Sequence, residues 1–243
     1  MTFRICALVP TFDNPATLRG VVEGLRRHLD SVIVVDDGSG PTARRVALSI
    51  ERDGLARVEW RTRNGGKGAA VKAGFAAARA RGFSHVLQID ADGQHDTDDV
   101  PHFVAEARAH PDALILGRPV FDASQPLGRA LARGISSFWV AVETGGAVGD
   151  PQCGFRVYPL VAAIAAGARG DHMEFDQELP VRMAWAGTPV RHLPTRVRYL
   201  AAAEGGVSHF DPWRDNLRIT RLHFQLVGEA LWRRLGGRSA RRR

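Results

Sequence analysis

The chain has 243 residues, 44% hydrophobic and 24% charged, a balance ordinary for a soluble globular protein with one large domain or one plus a small C-terminal extension. Its formal charge of +7 is local, because six arginines (Arg233, Arg234, Arg238, Arg241, Arg242 and Arg243) follow Trp232, so the excess marks a basic tail and argues against a nucleic-acid-binding fold. Cys6 and Cys153 are the only cysteines, which suits a reducing compartment and excludes a thiolate metal site.

Residues Met1 to Arg4 lead straight into a strand-like run, so no secretory signal is expected. The uncharged stretch Val157 to Ala168 is far short of the roughly 20 apolar residues that cross a bilayer, and a cytoplasmic protein is expected. Ile5 to Val9 and Val32 to Val35 are continuous apolar runs, as in strands covered on both faces. The helix between them is predicted to begin at Pro15, after Asp13 and Asn14 as caps, with Leu18, Val21, Val22, Leu25 and Leu29 on one face. The alternation continues with a helix near 42–52, a strand near 58–61, a helix over 67–81, a strand over 86–89, a helix over 99–109 and a strand over 113–116. Such alternation predicts an α/β fold, Rossmann-like, with a mostly parallel sheet flanked by helices and its ligand beyond the carboxyl ends of the strands.

After Gly117 the pattern loosens into a helix over 127–142, a short segment over 155–158, a helix over 176–186 and a strand near 190–193, which are expected to wrap one edge of the sheet. A last helix runs from Pro212 to about Leu235, with Ile219, Leu222, Leu226 and Ala230 in one stripe. The domain expectation is therefore a single domain over 1–200, a C-terminal amphipathic helical extension over 201–235, and a basic disordered tail over 236–243.

Three strand ends carry acidic residues. In Val86-Leu87-Gln88-Ile89-Asp90-Ala91-Asp92-Gly93-Gln94-His95, an apolar strand stops at two carboxylates that can share a Mg2+ or Mn2+ ion and leave coordination positions for substrate phosphates. A solvated turn is the competing reading of that tetrad alone. Pro10-Thr11-Phe12-Asp13-Asn14 and Asp36-Asp37-Gly38-Ser39 close the first two strands, and a carboxylate there can read a nucleobase edge or merely cap the next helix. Asn64-Gly65-Gly66-Lys67-Gly68 precedes a helix of small residues and can bring backbone N–H groups to a phosphate, although it lacks the Walker spacing and also suits a flexible turn.

These segments, with Gly154-Phe155-Arg156, stand in the order and spacing of family 2 glycosyltransferases, and the chain most resembles their dolichyl-phosphate mannose synthase branch over residues 3 to 200. The resemblance implies a GT-A fold, an inverting transfer and a GDP- or UDP-sugar donor, with a nucleotide-sugar half over about 1–117 and an acceptor half over about 118–200. It assigns Pro10, Phe12, Asp36 and Asp37 to the nucleoside, and Asp90, Asp92 and Gln94 to the metal and diphosphate. Asn64, Lys67 and Gly68 join Asp90 in the expected donor site. Arg118, Arg133, Ser137 and Arg156 are expected to bind the acceptor. Phe12-Asp13-Asn14 replaces the Tyr-Asn-Glu frequent in such enzymes, which leaves base and sugar open.

Besides Asp92, Asp176 and Glu178 are candidate catalytic residues, one of them the base for a hydroxyl acceptor; a phosphate acceptor needs none. His209 is a candidate third metal ligand. A lipid-linked, polyprenyl-phosphate-like acceptor is expected, with a hydroxylated lipid or secondary metabolite as the alternative. A non-catalytic nucleotide-sugar binding module is a further alternative, whereas a nucleotidyltransferase is disfavoured because Pro10-Thr11-Phe12-Asp13 is not its glycine-rich basic loop. The final helix either covers the protein's own core or, with Trp232 and the arginines, lies on an anionic membrane surface as a peripheral contact.

Overall fold

The structure, a computed structural model, describes residues 2–121, 127–198 and 210–234, and for residues 121, 127–133, 135 and 234 the backbone alone. The first half alternates β1 (Ile5–Thr11), α1 (Leu18–Arg26), β2 (Val32–Asp36), α2 (Pro41–Arg52), β3 (Arg57–Trp60), α3 (Lys67–Ala80), β4 (His85–Gln88) and α4 (Val100–Ala109). The second half adds β5 (Leu114–Phe121), α5 (Leu127–Thr144), β6 (Arg156–Pro159), α6 (Leu160–Ala165), α7 (Phe175–Trp185), β7 (Val190–Val197) and α8 (Arg214–Arg234). The sheet order is β3-β2-β1-β4-β6-β5-β7, and β6 alone runs antiparallel to its neighbours.

Alternate residues of each strand feed two apolar layers. Ala7, Val9, Val32 and Val34 face α1, α2 and α4, and Cys6, Leu8, Ile33 and Val35 face α3 and the helices of the second half. That two-sided burial is why these strands read as continuous apolar runs instead of alternating ones. The expected elements of the first half are present within a few residues. Helix α1 begins at Leu18 and not at Pro15, because Pro15 to Thr17 form a turn whose Thr17 hydroxyl donates to the Ala91 carbonyl at 2.6 Å. Strands β5 and β7 are each longer than expected and pair over eight residues, with Arg118, Arg191 and Arg196 on exposed faces of the ribbon.

The stripe Leu222, Leu226 and Ala230 of α8 is buried, the first two within the second apolar layer. Among the described residues no helix is long and apolar enough to cross a membrane.

Helix α3 lies directly on β1: a Cβ built at Gly74 would sit 2.2 Å from Leu8 Cδ1, whereas one at Gly20 in α1 meets nothing within 4 Å. The two glycines therefore respond with opposite sign. In urea denaturation, Gly74→Val is expected to lower stability by about 1–3 kcal/mol through overpacking, and Gly20→Ala to raise it by about 0.5–1 kcal/mol through helix propensity.

Candidate active site

The site forms where the strand order reverses, between β1 and β4, so that the loops leaving these strands splay apart. The β1 and β2 loops hold one another. The Asp37 N–H donates to the Thr11 carbonyl at 2.9 Å, the Asp13 N–H to Ser39 Oγ at 3.0 Å, and the Gly40 N–H to Asp13 Oδ1 at 2.8 Å. Asp37 in turn fixes the glycine-rich loop. Its carboxylate accepts from the Gly65 and Gly66 N–H groups, the latter at 2.7 Å, and pairs with Arg61 at 2.8 Å. Burial pushes the Asp37 pKa up, and these donors oppose that rise.

Gly66 has φ of 98°, and a Cβ there would lie 2.4 Å from the Asp171 carbonyl, so only glycine lets α3 start so close to the turn before α7. Lys67 is the first residue of α3, and its ammonium lies between two carboxylates. Nζ is 2.8 Å from Asp90 Oδ1, donates to Asp90 Oδ2 at 2.9 Å and is 2.6 Å from Asp176 Oδ2. Burial alone would lower the Lys67 pKa, but Asp176 and Asp90 together hold it above its ordinary value. Burial would likewise raise that of Asp90; Lys67, helped by His95, holds it below 3.8 instead.

Gly154-Phe155-Arg156 closes this arrangement from beneath. A Cβ at Gly154 would collide with Asp90 at 2.1 Å, and Phe155 stacks on Phe103 with ring centroids 4.2 Å apart. Arg156 is fully buried and donates to the carbonyls of Cys153 and Pro151 at 2.6 Å and of Asp176 at 2.8 Å. It also donates to the Tyr158 hydroxyl at 3.1 Å. These bonds fasten the turn before β6 to the first turn of α7.

Over this floor lies a cleft of about 600 Å³, within the range of small-molecule sites. Of the sequence-predicted site residues, Pro10, Phe12, Asp37, Asn64, Lys67, Asp90, Asp92, Gln94 and Asp176 line it. Asp36 is buried beneath the rim, and Gly68 has no room for a side chain beside Phe175. Glu178 is buried and turned away from the cleft: it accepts from the Arg169 and Gly170 N–H groups at 2.9 and 2.7 Å and pairs with Arg182 at 2.5 Å. Arg156 contacts main-chain carbonyls and Tyr158, as described, and does not line the cleft.

Arg118 is exposed on β5 near His192, whose pKa is lowered first by burial and then by the Arg118 charge. Helix α5 turns Ser136, not Ser137, into the cleft, where the Ser136 hydroxyl accepts from Gln152 Nε2 at 2.9 Å. The Arg133 side chain, His209 and the 236–243 tail lie outside the described residues. Sequence reading missed Ser136, Gln152 and His172 in the lining, together with Arg214 and Arg218 from the first turns of α8. Asp211 holds that helix start, accepting from the N–H groups of Trp213 and Arg214, each at 3.0 Å.

Among the described residues no three His, Cys, Asp or Glu side chains converge as a self-sufficient metal site. A hard cation with phosphate among its ligands needs only one or two carboxylates, and Asp92 and Asp90 offer such a set on the cleft wall.

An acidic rim at the switch point of a doubly covered, mostly parallel sheet, with a glycine-rich helix start opposite, is the arrangement of α/β proteins that bind nucleotides beyond their strand ends. The chain belongs to glycosyl transferase family 2, whose family model matches residues 6–158, from β1 through β6. The fold is GT-A: it resembles glucosyl-3-phosphoglycerate synthase from Mycobacterium tuberculosis, solved with Mn2+, UDP-glucose and phosphoglyceric acid, at a TM-score of 0.68 and 18% identity, covering 94% of this chain and 79% of that one. Among sequence relatives, an undecaprenyl-phosphate mannosyltransferase of Micrococcus luteus is 27% identical over 96% of this chain and 99% of its own length. A polyprenol monophosphomannose synthase of Mycolicibacterium smegmatis is 28% identical over 65% of this chain and 62% of its own. The chain is thus a glycosyltransferase of the branch that includes the dolichyl-phosphate mannose synthases.

Removing the Lys67 charge leaves two crowded carboxylates without their counterion. Lys67→Met is expected to cost about 3 kcal/mol in urea denaturation at pH 7. Because the folded-state pKa of Asp90 lies below 3.8, its stabilising contribution is complete above that pH and is lost as the pH falls through the lower value. The gap between wild type and variant should therefore narrow below about pH 4, and a gap that stays constant to pH 2.5 would contradict the assignment.

Proposed function

We propose that the protein transfers a sugar, with inversion, from a nucleoside diphosphate donor to the phosphate of a polyprenyl-type lipid. The observation that carries this reading is the environment of Asp176. Its carboxylate lines the cleft where a base would be needed, yet one oxygen is held by Lys67 at 2.6 Å and the other lies 3.7 Å from the buried Arg156 guanidinium. Oδ2 is thus taken by Lys67 and Oδ1 is buried against Arg156, so neither oxygen is offered to a substrate hydroxyl, whereas a phosphate acceptor brings its own anionic oxygen and needs no base. The Micrococcus relative is an undecaprenyl-phosphate mannosyltransferase and the Mycolicibacterium relative a polyprenol monophosphomannose synthase, which supports the same acceptor class.

In this reading Pro10, Phe12 and Asn14 form the nucleoside pocket, and the N–H end of α3 with Asn64 faces the diphosphate. Asp36 acts beneath the pocket, and Asp37, on its wall, acts by fixing the Gly65–Gly66 loop. Asp92, with Asp90 and Gln94 and with His209 as a further ligand, would hold Mg2+ or Mn2+. Such a cation withdraws negative charge from the leaving diphosphate. Lys67 stays charged beside Asp90, keeping that carboxylate ionised toward the donor. An acceptor oxygen attacks the anomeric carbon from the face opposite the departing diphosphate; the new C–O bond forms as the old one breaks, and the electron pair leaves on the nucleoside diphosphate. Asp176 positions Lys67. Glu178 supports it by fixing the 169–170 turn and Arg182.

Arg118, Arg133 and Ser137 remain the proposed acceptor contacts, with Ser136 added from the cleft lining. Arg156 contributes by fixing the turn around Cys153.

Asp92→Ala is expected to lower kcat by at least about 10²-fold with little change in melting temperature. Chelation should abolish turnover, and Mn2+ or Mg2+ should restore it. The acceptor class is decided by extracting labelled sugar into the lipid phase with undecaprenyl phosphate or undecaprenol as acceptor: transfer is expected to the phosphate alone, and equal transfer to the alcohol would refute the reading.

A further inference from the structure

Helix α8 carries a second apolar stripe that the core does not use. Trp213, Leu217, Phe224 and Leu231 fall within about 40° of one another around the helix axis, roughly opposite the buried Leu222 and Leu226, and are 88, 71, 73 and 53% exposed. Trp232, 58% exposed, lies at the border of the stripe near its far end. Neighbouring α5 adds Phe138, 61% exposed, beside Trp139, which stacks on His223 of α8. Single exposed apolar residues are commonplace, but a run of large side chains along one helix face marks a contact surface.

The charges on this helix say what kind of contact. Both acids of α8 lie off this stripe and are paired: buried Asp215 with Arg218 at 2.9 Å, and half-exposed Glu229 with Arg182 of α7 at 3.2 Å. Arg214 and Arg221 are exposed at the border of the stripe, and the chain beyond Leu235 adds Arg238, Arg241, Arg242 and Arg243. A face with its cations outward, its acids paired away from it and a tryptophan near either end suits an anionic lipid headgroup layer. A second copy of the chain is a poorer partner, because a two-fold contact through this stripe would bring Arg214 and Arg221 against their own duplicates.

We infer that the outer face of α8, with Phe138 of α5, is a docking surface for an anionic bilayer. It sits at the lip of the cleft: Trp213 directly precedes Arg214, which with Arg218 and Ile219 lines the cleft wall. Docking there sets the cleft mouth against the headgroup layer. The inference deepens the lipid-acceptor reading and rests on it for its purpose, but the surface is measurable without any transfer reaction.

The test is sedimentation of the full-length chain with vesicles of phosphatidylglycerol and phosphatidylcholine, and with phosphatidylcholine alone. The probe variant carries Trp213→Ser, Leu217→Ser and Phe224→Ser, all at exposed positions, and its fold is checked by its thermal transition. Wild type is expected to sediment with the anionic vesicles, and the triple variant to bind them at least about tenfold more weakly, while cleaving the donor with a water-soluble acceptor phosphate as wild type does. Wild type failing to bind anionic vesicles, the triple variant binding as well as wild type, or a wild-type dimer that the triple substitution dissociates would each overturn the inference. Vesicle binding that depends on the stripe, without sugar transfer to a lipid phosphate, would leave the surface standing and sink the proposed function alone.

Discussion

The Lys67 ammonium is the constraint on which the rest of the site depends. It stands at the amino-terminal end of α3, where the helix dipole already favours negative charge, and it is removed from bulk water, so both terms work against a cation there. Two carboxylates from separate parts of the chain offset that cost. Asp90 comes from the end of β4 and Asp176 from the first turn of α7, and neither helix nor strand can shift without separating a charge from its partner. A short-range Coulombic requirement thereby fixes three elements that are distant in sequence.

The surrounding loops read as consequences of that arrangement. Lys67 reaches the carboxylates only because Gly66 lets α3 start against Asp171, and the Gly65–Gly66 segment is held by the buried Asp37. Asp90 keeps its position because Gly154 leaves space for it, and Asp176 keeps its position because Arg156 binds its carbonyl. The motif segments at 10–14, 36–39, 64–68, 90–95 and 154–156 thus meet around the same small volume. The division of labour differs from what residue types alone suggest: Asp37, although it lines the cleft, gives its carboxylate to the Gly65–Gly66 loop and Arg61, and Arg156 gives its guanidinium to main-chain carbonyls beneath.

The first half of the fold was legible because its strands are buried on both faces, so that Ile5 to Val9 and Val32 to Val35 announce themselves by composition. The β5–β7 ribbon was only half legible, since beyond Gly117 it interleaves Arg118, Pro119, Arg191, Pro194 and Arg196 and loses the apolar signature. Helix α6 was missed because its six residues, LVAAIA, are too few to show a period. Ser136, which lines the cleft beside the expected Ser137, shows a different limit. Neighbouring residues on a helix point about 100° apart, and the sequence does not fix the rotation of the helix about its axis. The site motifs were legible as a set, but the partners of Lys67 were not, because nothing local links position 67 to positions 90 and 176.

Helix α8 shows why a periodic pattern needs its three-dimensional setting. Read alone, Ile219, Leu222, Leu226 and Ala230 fit a core-facing stripe or a membrane-facing one. Packing on α5 and α7 assigns Leu222 and Leu226 to the core while Ile219 lines the cleft, and polar contacts fix the helix rotation: His223 meets Glu143 at 2.8 Å, and Arg182 joins Glu178 to Glu229. Once that rotation is set, Trp213, Leu217, Phe224 and Leu231 have no choice but to face outward. The Glu178–Arg182–Glu229 chain therefore connects the interior beneath the Lys67 site to the orientation of the outer stripe. The helix also lies beyond the residues that match the family model, which end at 158. Its first turns border the cleft while its outer face meets solvent, so one helix joins the cleft wall to the exposed stripe.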